Sequence, residues 1–443
     1  MLRSWSQYGP QTVRLTTRIA AWDKRQHQHQ HQHKQYRSMI TAQARLHNVP
    51  PWRPASPLDE WVGKEARPIS LRQLMVFGRS LTEARLLSSA NYVRTELPTR
   101  LAHRIRDMQT LPYVVVTNPH VSQVYELYYK AFESLRRVRE IKTLEDNEKF
   151  CKTISQTLQE HLTVIPKLAM GVLECRDLMR PEEMDKFMNT ILRSRISRRV
   201  IAEQHLALTE TFHSPWHFPD SPTPTTTTQT DFVGEVFLKC SAAEVVSRCF
   251  SATRFLCAST YGSSTPLPPI NLTGHLTATF PYILSHLEYI IGELLRNSMQ
   301  ATVERAKHHP KSWIDNKPPP IEVTVCEAPQ HVIIRVSDQG GGIPKEILPH
   351  LWSFSKGPRS SQRLENLKGV PKMAATLQEL RVSRPPNLRL GMGLPLSRVY
   401  AEYWAGQLEV HSLEGYGTDA FLQISKLGNK NEQLTMRASM DAV

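Results

Sequence analysis

The sequence lacks the marks of a secreted, membrane-spanning or nucleic-acid-binding chain. Its six cysteines are scattered through 443 residues. With no C-x-x-C pair and no metal-ligand spacing, they exclude a disulfide framework and read as buried thiols in a reducing compartment. No apolar run approaches the roughly 18 residues of a membrane helix, so no membrane span is expected. Aromatic residues make up only 8%. Basic residues are not interleaved with them as a base-stacking surface needs, so the net charge of +14 does not imply a nucleic-acid partner. Acids are scarcest at the start, where residues 1–50 hold only Asp23 against Arg3, Arg14, Arg18, Lys24, Arg25, Lys34, Arg37 and Arg45. Arg-rich, Ser-bearing and acid-poor is the composition of a mitochondrial transit peptide, with a basic disordered tail as the alternative. The alternating His and Gln from His27 to His33 read either as a metal-holding run or as low-complexity slippage.

What is present suffices for two domains of ordinary size, with hydrophobic residues at 40% to fill their cores. Residues 1–57 read as leader. From 58 to 213 the apolar spacing is helical almost throughout, in runs near Ser70–Leu81, Thr82–Asp107 (broken at Pro98), Ser122–Arg139, Asn147–Leu173 and Pro181–Leu208. Long amphipathic helices with short polar connections predict a four-helix bundle. Residues 214–230 carry Pro215, Pro219, Pro222, Pro224 and the run Thr225–Thr228, an inter-domain insertion that buries little. From 231 to 428 strands and helices mix. Strands are expected at Glu235–Lys239, Ile270–Leu272, Thr277–Phe280, Glu322–Cys326, Val332–Val336, Gln407–His411 and Ala420–Ile424. Helices are expected at Ala242–Cys257, Tyr282–Lys307 and Pro395–Tyr403. The pattern predicts an α+β sandwich of one mixed sheet under a helical layer. The polar, basic stretch 343–390 reads as a lid, and 429–443 as a tail.

The chemistry concentrates in four places. On the helix around Glu288–Thr302, Glu293 and Asn297 stand one turn apart and leave the same face. Asp338-Gln339-Gly340-Gly341-Gly342 follows a strand; Asp338 can accept from an exocyclic amine, and Gly340 and Gly342 let backbone approach a base. Gly391-Met392-Gly393-Leu394-Pro395 opens a helix, whose N–H groups and positive end suit phosphate. Gly415-Tyr416-Gly417-Thr418 leads into the last strand. Asn297 offers a hard neutral oxygen suited to Mg²⁺, and Glu293 can take a proton from an attacking hydroxyl or water. Each alone also reads as a turn, a helix entry or a surface ridge. Their order is more specific than any one of them.

In that order the four segments resemble the N, G1, G2 and G3 boxes of the GHKL ATPase superfamily. The bundle narrows the resemblance. Glu96-Leu97-Pro98-Thr99-Arg100-Leu101-Ala102-His103-Arg104-Ile105, Leu111-Pro112-Tyr113, Asn118-Pro119, Gln204-His205-Leu206-Ala207-Leu208, Asp231-Phe232-Val233-Gly234 and Tyr400-Ala401-Glu402-Tyr403 look like the mitochondrial branched-chain α-ketoacid and pyruvate dehydrogenase kinases. The resemblance implies a bundle that docks a lipoyl domain, joined to a Bergerat ATP-binding sandwich. It implies a matrix serine kinase of an E1α subunit, working with Mg²⁺ and ATP as a homodimer on E2; K⁺ is implied on the same ground. Carried over residue by residue, Glu293 is the general base, Asn297 the Mg²⁺ ligand and Asp338 the adenine anchor. Gly340, Gly342, Ser355, Gly391, Met392, Gly393, Leu394 and Thr418 join Asn297 and Asp338 around the nucleotide.

The chain also departs from the family pattern. Tyr289 stands where pyruvate dehydrogenase kinases usually carry histidine, and the tail lacks an Asp-Trp element; both lean toward a branched-chain substrate. Gln300 stands for Arg, Arg296 for Lys, Arg389 for the first glycine of G-x-G-x-G-L-P, Lys356 for Thr, and Ser197-Arg198-Arg199 for Gly-Ile-Arg. Gln300, Arg389 and Lys356 bear on nucleotide affinity and lid closure, so a catalytically weak or non-catalytic regulator is the rival reading. A histidine kinase needs an acceptor His followed by an acid; His205 is followed by Leu206 and His103 by Arg104.

Overall fold

The computed structural model describes residues 56–79, 81–213, 232–262, 265–308, 317–357, 391–428 and 430–434. The stretches read from the sequence as a transit peptide, a His-Gln run, the 214–230 insertion, the lid beyond residue 357 with Arg389, and the last residues of the tail lie outside the described residues. The chain divides between Glu60 and Trp61, and the bundle and sheets belong to the second unit.

The longer helices of the helical part are α1 (Leu71–Arg79), α2 (Glu83–Gln109), α3 (Pro119–Arg136), α4 (Leu144–Glu160), α5 (Val164–Glu174) and α6 (Pro181–His213), with short helical turns at Pro57–Val62 and Tyr113–Val116. A single 3₁₀ turn, His161–Thr163, joins α4 to α5, so the two run on as one broken rod. That rod, α2, α3 and α6 pack as the expected four-helix bundle. The starts are capped as the sequence dictates. Thr82 accepts from the Arg85 N–H, Asn118 precedes Pro119 and accepts from His120 and Val121, and Thr143 with Asp146 forms a reciprocal capping box. Helix α2 is not broken at Pro98 but continues through it. An interior proline costs about 3 kcal/mol. Here Leu97, Leu101, Ala102 and Ile105 are all buried around it, and the Thr99 hydroxyl donates to the Thr95 carbonyl at 2.8 Å. Burial of that face outweighs the local defect.

The C-terminal part holds β1 (Phe232–Val233), β2 (Val236–Ser241), α7 (Ala242–Tyr261), β3 (Ile270–Gly274), β4 (Thr279–Ile283), α8 (Leu284–His308), β5 (Ile321–Glu327), β6 (His331–Asp338), α9 (Gly393–Tyr403), β7 (Gln407–Leu413) and β8 (Gly417–Ser425). The strands make two sheets rather than the expected single one. A three-stranded antiparallel sheet runs β1-β2-β4, and a five-stranded sheet runs β3-β5-β6-β8-β7. In the latter β3 pairs with β5 in parallel and the remaining neighbours are antiparallel. The small sheet exists because β1 and β2 close on a two-residue turn, pairing Val233 with Val236. Gly234 supplies the positive φ that turn needs, at +59°. Helix α8 lies on β6, with α7 and α9 beside it.

Polar contacts join the parts. The Gln204 carboxamide on α6 donates to the Leu74 and Val233 carbonyls and accepts from Glu235 N–H at 2.8 Å. At the other end, the tail returns to the bundle. Glu432 Oε1 meets Arg100 at 2.8 Å, with both side chains at most 2% exposed, and Tyr403 donates to the same carboxylate. Arg100 also holds Glu96 at 3.2 Å. Of the thiols, Cys175, Cys240, Cys249 and Cys257 are buried as expected, whereas Cys151 is half-buried and Cys326 exposed. Cys326 falls on the outward alternate positions of β5.

Candidate active site

Strand periodicity places the first carboxylate. In β6 the inward positions are Val332, Ile334, Val336 and Asp338, so Asp338 lies on the same face as three buried aliphatic side chains, only 6% exposed. Three donors compensate it. The Ser298 hydroxyl of α8 reaches Oδ2 at 2.8 Å, the Gly340 N–H reaches Oδ1 at 2.8 Å, and Thr418 contributes its backbone N–H. Burial nonetheless wins, and the carboxyl is raised from 3.8 to about 6. Thr418 stands directly opposite Asp338 in the β6–β8 register, which brings the first and third glycine segments to one place. Arg305 closes this corner, donating to the carbonyls of Gln339, Gly415 and Tyr416.

Helix α8 carries the second group. Its apolar stripe, Leu287, Ile290, Ile291, Leu294, Leu295 and Met299, is buried and fixes how the remaining faces point. Glu293 is only 4% exposed, and Asn297, one turn on, is half-buried. Arg296 forms an ion pair with Glu293. Burial pulls the Arg296 guanidinium down, but the charge and hydrogen bond of Glu293 outweigh it and leave the group raised. Gly393, the first residue of α9, packs against this pair: a Cβ there would overlap Glu293 Oε2. Met392 is buried ahead of it, and Gly391 and Leu394 are half-buried. Tyr289, one turn before Glu293, packs against Tyr400 of α9 with ring centroids 5.0 Å apart and the rings tilted by 38°.

Ser355 is 2% exposed, and its hydroxyl has no partner among the described residues. Gln300 is buried and donates to Glu304 at 2.8 Å. Lys356 donates its backbone N–H to Ser353 Oγ at 2.9 Å. His205 is fully buried, with Nδ1 at 3.1 Å from Ser89 and Nε2 at 2.9 Å from Asn147. Burial lowers it to about 4. A ring so enclosed cannot accept a phosphoryl group, which counts against a histidine kinase.

The structure therefore gathers Glu293 with Gly393, and Asp338 with Gly340 and Thr418, along α8. Sequence reasoning missed Ser298 and Arg305. Ser298 lies beside Asn297 on α8, and only the strand-to-helix packing tells that it faces Asp338. Arg305 lies eight residues beyond Asn297 and acts through backbone carbonyls that no pattern reveals.

The comparisons with known proteins match this architecture part by part. A family model described as mitochondrial branched-chain alpha-ketoacid dehydrogenase kinase matches residues 68–237, and one described as histidine kinase-, DNA gyrase B- and HSP90-like ATPase matches residues 283–427. A Saccharomyces cerevisiae protein named [pyruvate dehydrogenase (acetyl-transferring)] kinase 2, mitochondrial, is 31% identical over 86% of this chain and 86% of its own. An Arabidopsis thaliana protein named [pyruvate dehydrogenase (acetyl-transferring)] kinase, mitochondrial, is 34% identical over 85% of this chain and 94% of its own. The chain belongs to the mitochondrial α-ketoacid dehydrogenase kinase family. A human member, named [pyruvate dehydrogenase (acetyl-transferring)] kinase isozyme 4, mitochondrial, is 29% identical over 82% of each chain. Family membership makes this an ATP-binding, GHKL-type protein of the kinase class. No described helix is long and apolar enough to cross a membrane.

Proposed function

We propose that the chain is a mitochondrial-matrix protein-serine kinase that uses Mg-ATP to phosphorylate, and so inactivate, the E1α subunit of the pyruvate dehydrogenase complex. It works as a homodimer docked through its bundle, residues 58–213, on a lipoyl domain of E2; residues 231–428 form the kinase domain. The observation that carries this reading is the meeting of Glu293 with Gly393, which joins the helix of the first motif to the phosphate-facing turn of the third.

In this reading Glu293 takes the proton of the attacking serine hydroxyl. The Asn297 oxygen would hold Mg²⁺, which would supply neutralisation of phosphate charge. Asp338 accepts from the adenine amine, with Gly340, Gly342 and Thr418 beside the base. Gly391, Met392, Gly393 and Leu394 turn backbone N–H groups and the α9 N-terminus toward phosphate, and the Ser355 hydroxyl supplies a further donor from the lid side. The residues present fit the nucleotide: Asp338 holds an acceptor on the inner face of the sheet, and Ser355 has a buried hydroxyl that no described residue pairs. Phosphoryl transfer needs mainly positioning and charge neutralisation.

The pyruvate substrate follows the names of the relatives. Tyr289 in place of histidine is the feature that favours the branched-chain E1. A non-catalytic ATP-binding regulator is the second reading, and one observation favours it: Arg296 engages the carboxylate that must serve as base. Replacing Glu293 by Gln separates these. It should abolish transfer while ATP still binds; transfer that persists unchanged refutes the assignment of the base.

A further inference from the structure

The segment 348–357, in the first part of the stretch read as a lid, is not held by the kinase domain alone. It turns through a 3₁₀ stretch, Leu348–His350, and then buries Phe354 and Ser355, which are 1% and 2% exposed. The Phe354 N–H donates at 2.9 Å to Oδ1 of Asp185, a residue in the second turn of bundle helix α6. A second anchor lies two residues earlier. The Arg398 guanidinium of α9 sits 4.9 Å over the Trp352 ring and donates to Glu402 at 2.6 Å, and Glu402 is also ion-paired with Arg193 of α6. Both anchors lead back to α6, which lies outside every nucleotide-binding motif.

We propose that Asp185 is a positioning residue of the nucleotide site, fixing Ser355 through the Phe354 N–H so that the helical bundle sets the affinity for ATP. This rests on the reading of Ser355 as a nucleotide contact. Ser355 is one residue beyond a backbone N–H whose direction is set by a carboxylate, an acceptor that makes a stronger hydrogen bond than a neutral oxygen. Its own hydroxyl is buried without a partner among the described residues, so its place is imposed by its neighbours. Loss of the Asp185 oxygen frees the Ser353–Phe354 peptide to rotate, and the chain to Ser355 with it.

The test uses the full chain with Mg-ATP and E1 in the presence of its E2, comparing Asp185→Ala, Asp185→Asn, Arg398→Gln and Ser355→Ala. Asp185→Ala should raise the KM for ATP about tenfold, the equivalent of one hydrogen bond, with kcat within about twofold. Asp185→Asn keeps a neutral acceptor oxygen and should bring the KM most of the way back to the wild-type value. Arg398→Gln, which loosens the same segment without touching Asp185, should raise KM in the same direction. A purely structural Asp185 would instead lower kcat with the active fraction, leave KM alone and show no rescue by Asn; that outcome overturns the proposal. An unchanged KM in Asp185→Ala beside a raised KM in Ser355→Ala also overturns it and leaves the nucleotide reading standing. An unchanged KM in Ser355→Ala removes both.

Discussion

Replacing Asp338 by Asn should make the protein more stable and a poorer binder of ATP at once. The carboxyl is raised from 3.8 to about 6 by burial on the inner face of β6. The folded state therefore holds that proton more tightly than the unfolded chain. Stability is greatest below the unfolded value, falls as pH rises through about 6, and carries the full cost at neutral pH. A displacement from 3.8 to about 6 corresponds to about 3 kcal/mol. Asparagine has no charge to desolvate, but it offers one acceptor oxygen where three donors converge, and losing one hydrogen bond costs about 1 kcal/mol. The net gain of about 2 kcal/mol should raise the melting temperature by about 2–3 °C in a chain of this size. Nucleotide binding should move the other way. A charge-assisted hydrogen bond contributes about 1.5–3 kcal/mol, so ATP should bind about tenfold to a hundredfold more weakly. Thermal melting with and without Mg-ATP, alongside calorimetric titration, reads both quantities. A variant that melts lower and binds ATP as before refutes the account of Asp338. In the wild type, ATP affinity should accordingly fall as pH drops below about 6.

The remaining predictions address other joints of the structure. Gly393→Ala should lower kcat at least about tenfold, because its Cβ displaces the Glu293 carboxylate; steady-state kinetics at saturating ATP checks this. Arg100→Leu strips the buried Glu432 and Glu96 carboxylates of their shared cation. Breaking a buried pair from one side costs about 3–5 kcal/mol, which should appear as a denaturant midpoint well below that of the wild type. Truncation before residue 430 removes Glu432 and leaves Arg100 without that partner, so it should destabilise in the same direction.

The segments that the fold brings together along α8 were legible in the sequence because they are local. Glu293 and Asn297 are one helical turn apart, Asp338 ends a strand, and Gly393 opens a helix, so each pattern needs only its neighbours to be read. The helices of the bundle were legible for the same reason, through apolar spacing alone. Pro98 misled because propensity is local and the burial that overrides it is not. The second sheet was missed because β1 is two residues long and has no periodicity to show. Ser298, Arg305, Asp185 and Glu432 escaped because their meaning lies in long-range partners. Asp185 acts on a backbone N–H 169 residues away, and Glu432 on the Ile69 N–H 363 residues away.

The most direct test of the central claim is incubation of the protein with Mg-ATP and purified E1 in the presence of its own E2, separately for the pyruvate and branched-chain complexes. Serine phosphorylation of pyruvate dehydrogenase E1α, with loss of that complex's activity and abolished by Glu293→Gln, is the predicted result. Transfer to the branched-chain E1α alone would make Tyr289 the guide to the substrate. Bound ATP with transfer to neither E1 would contradict the kinase assignment and leave a regulator whose base is held by Arg296.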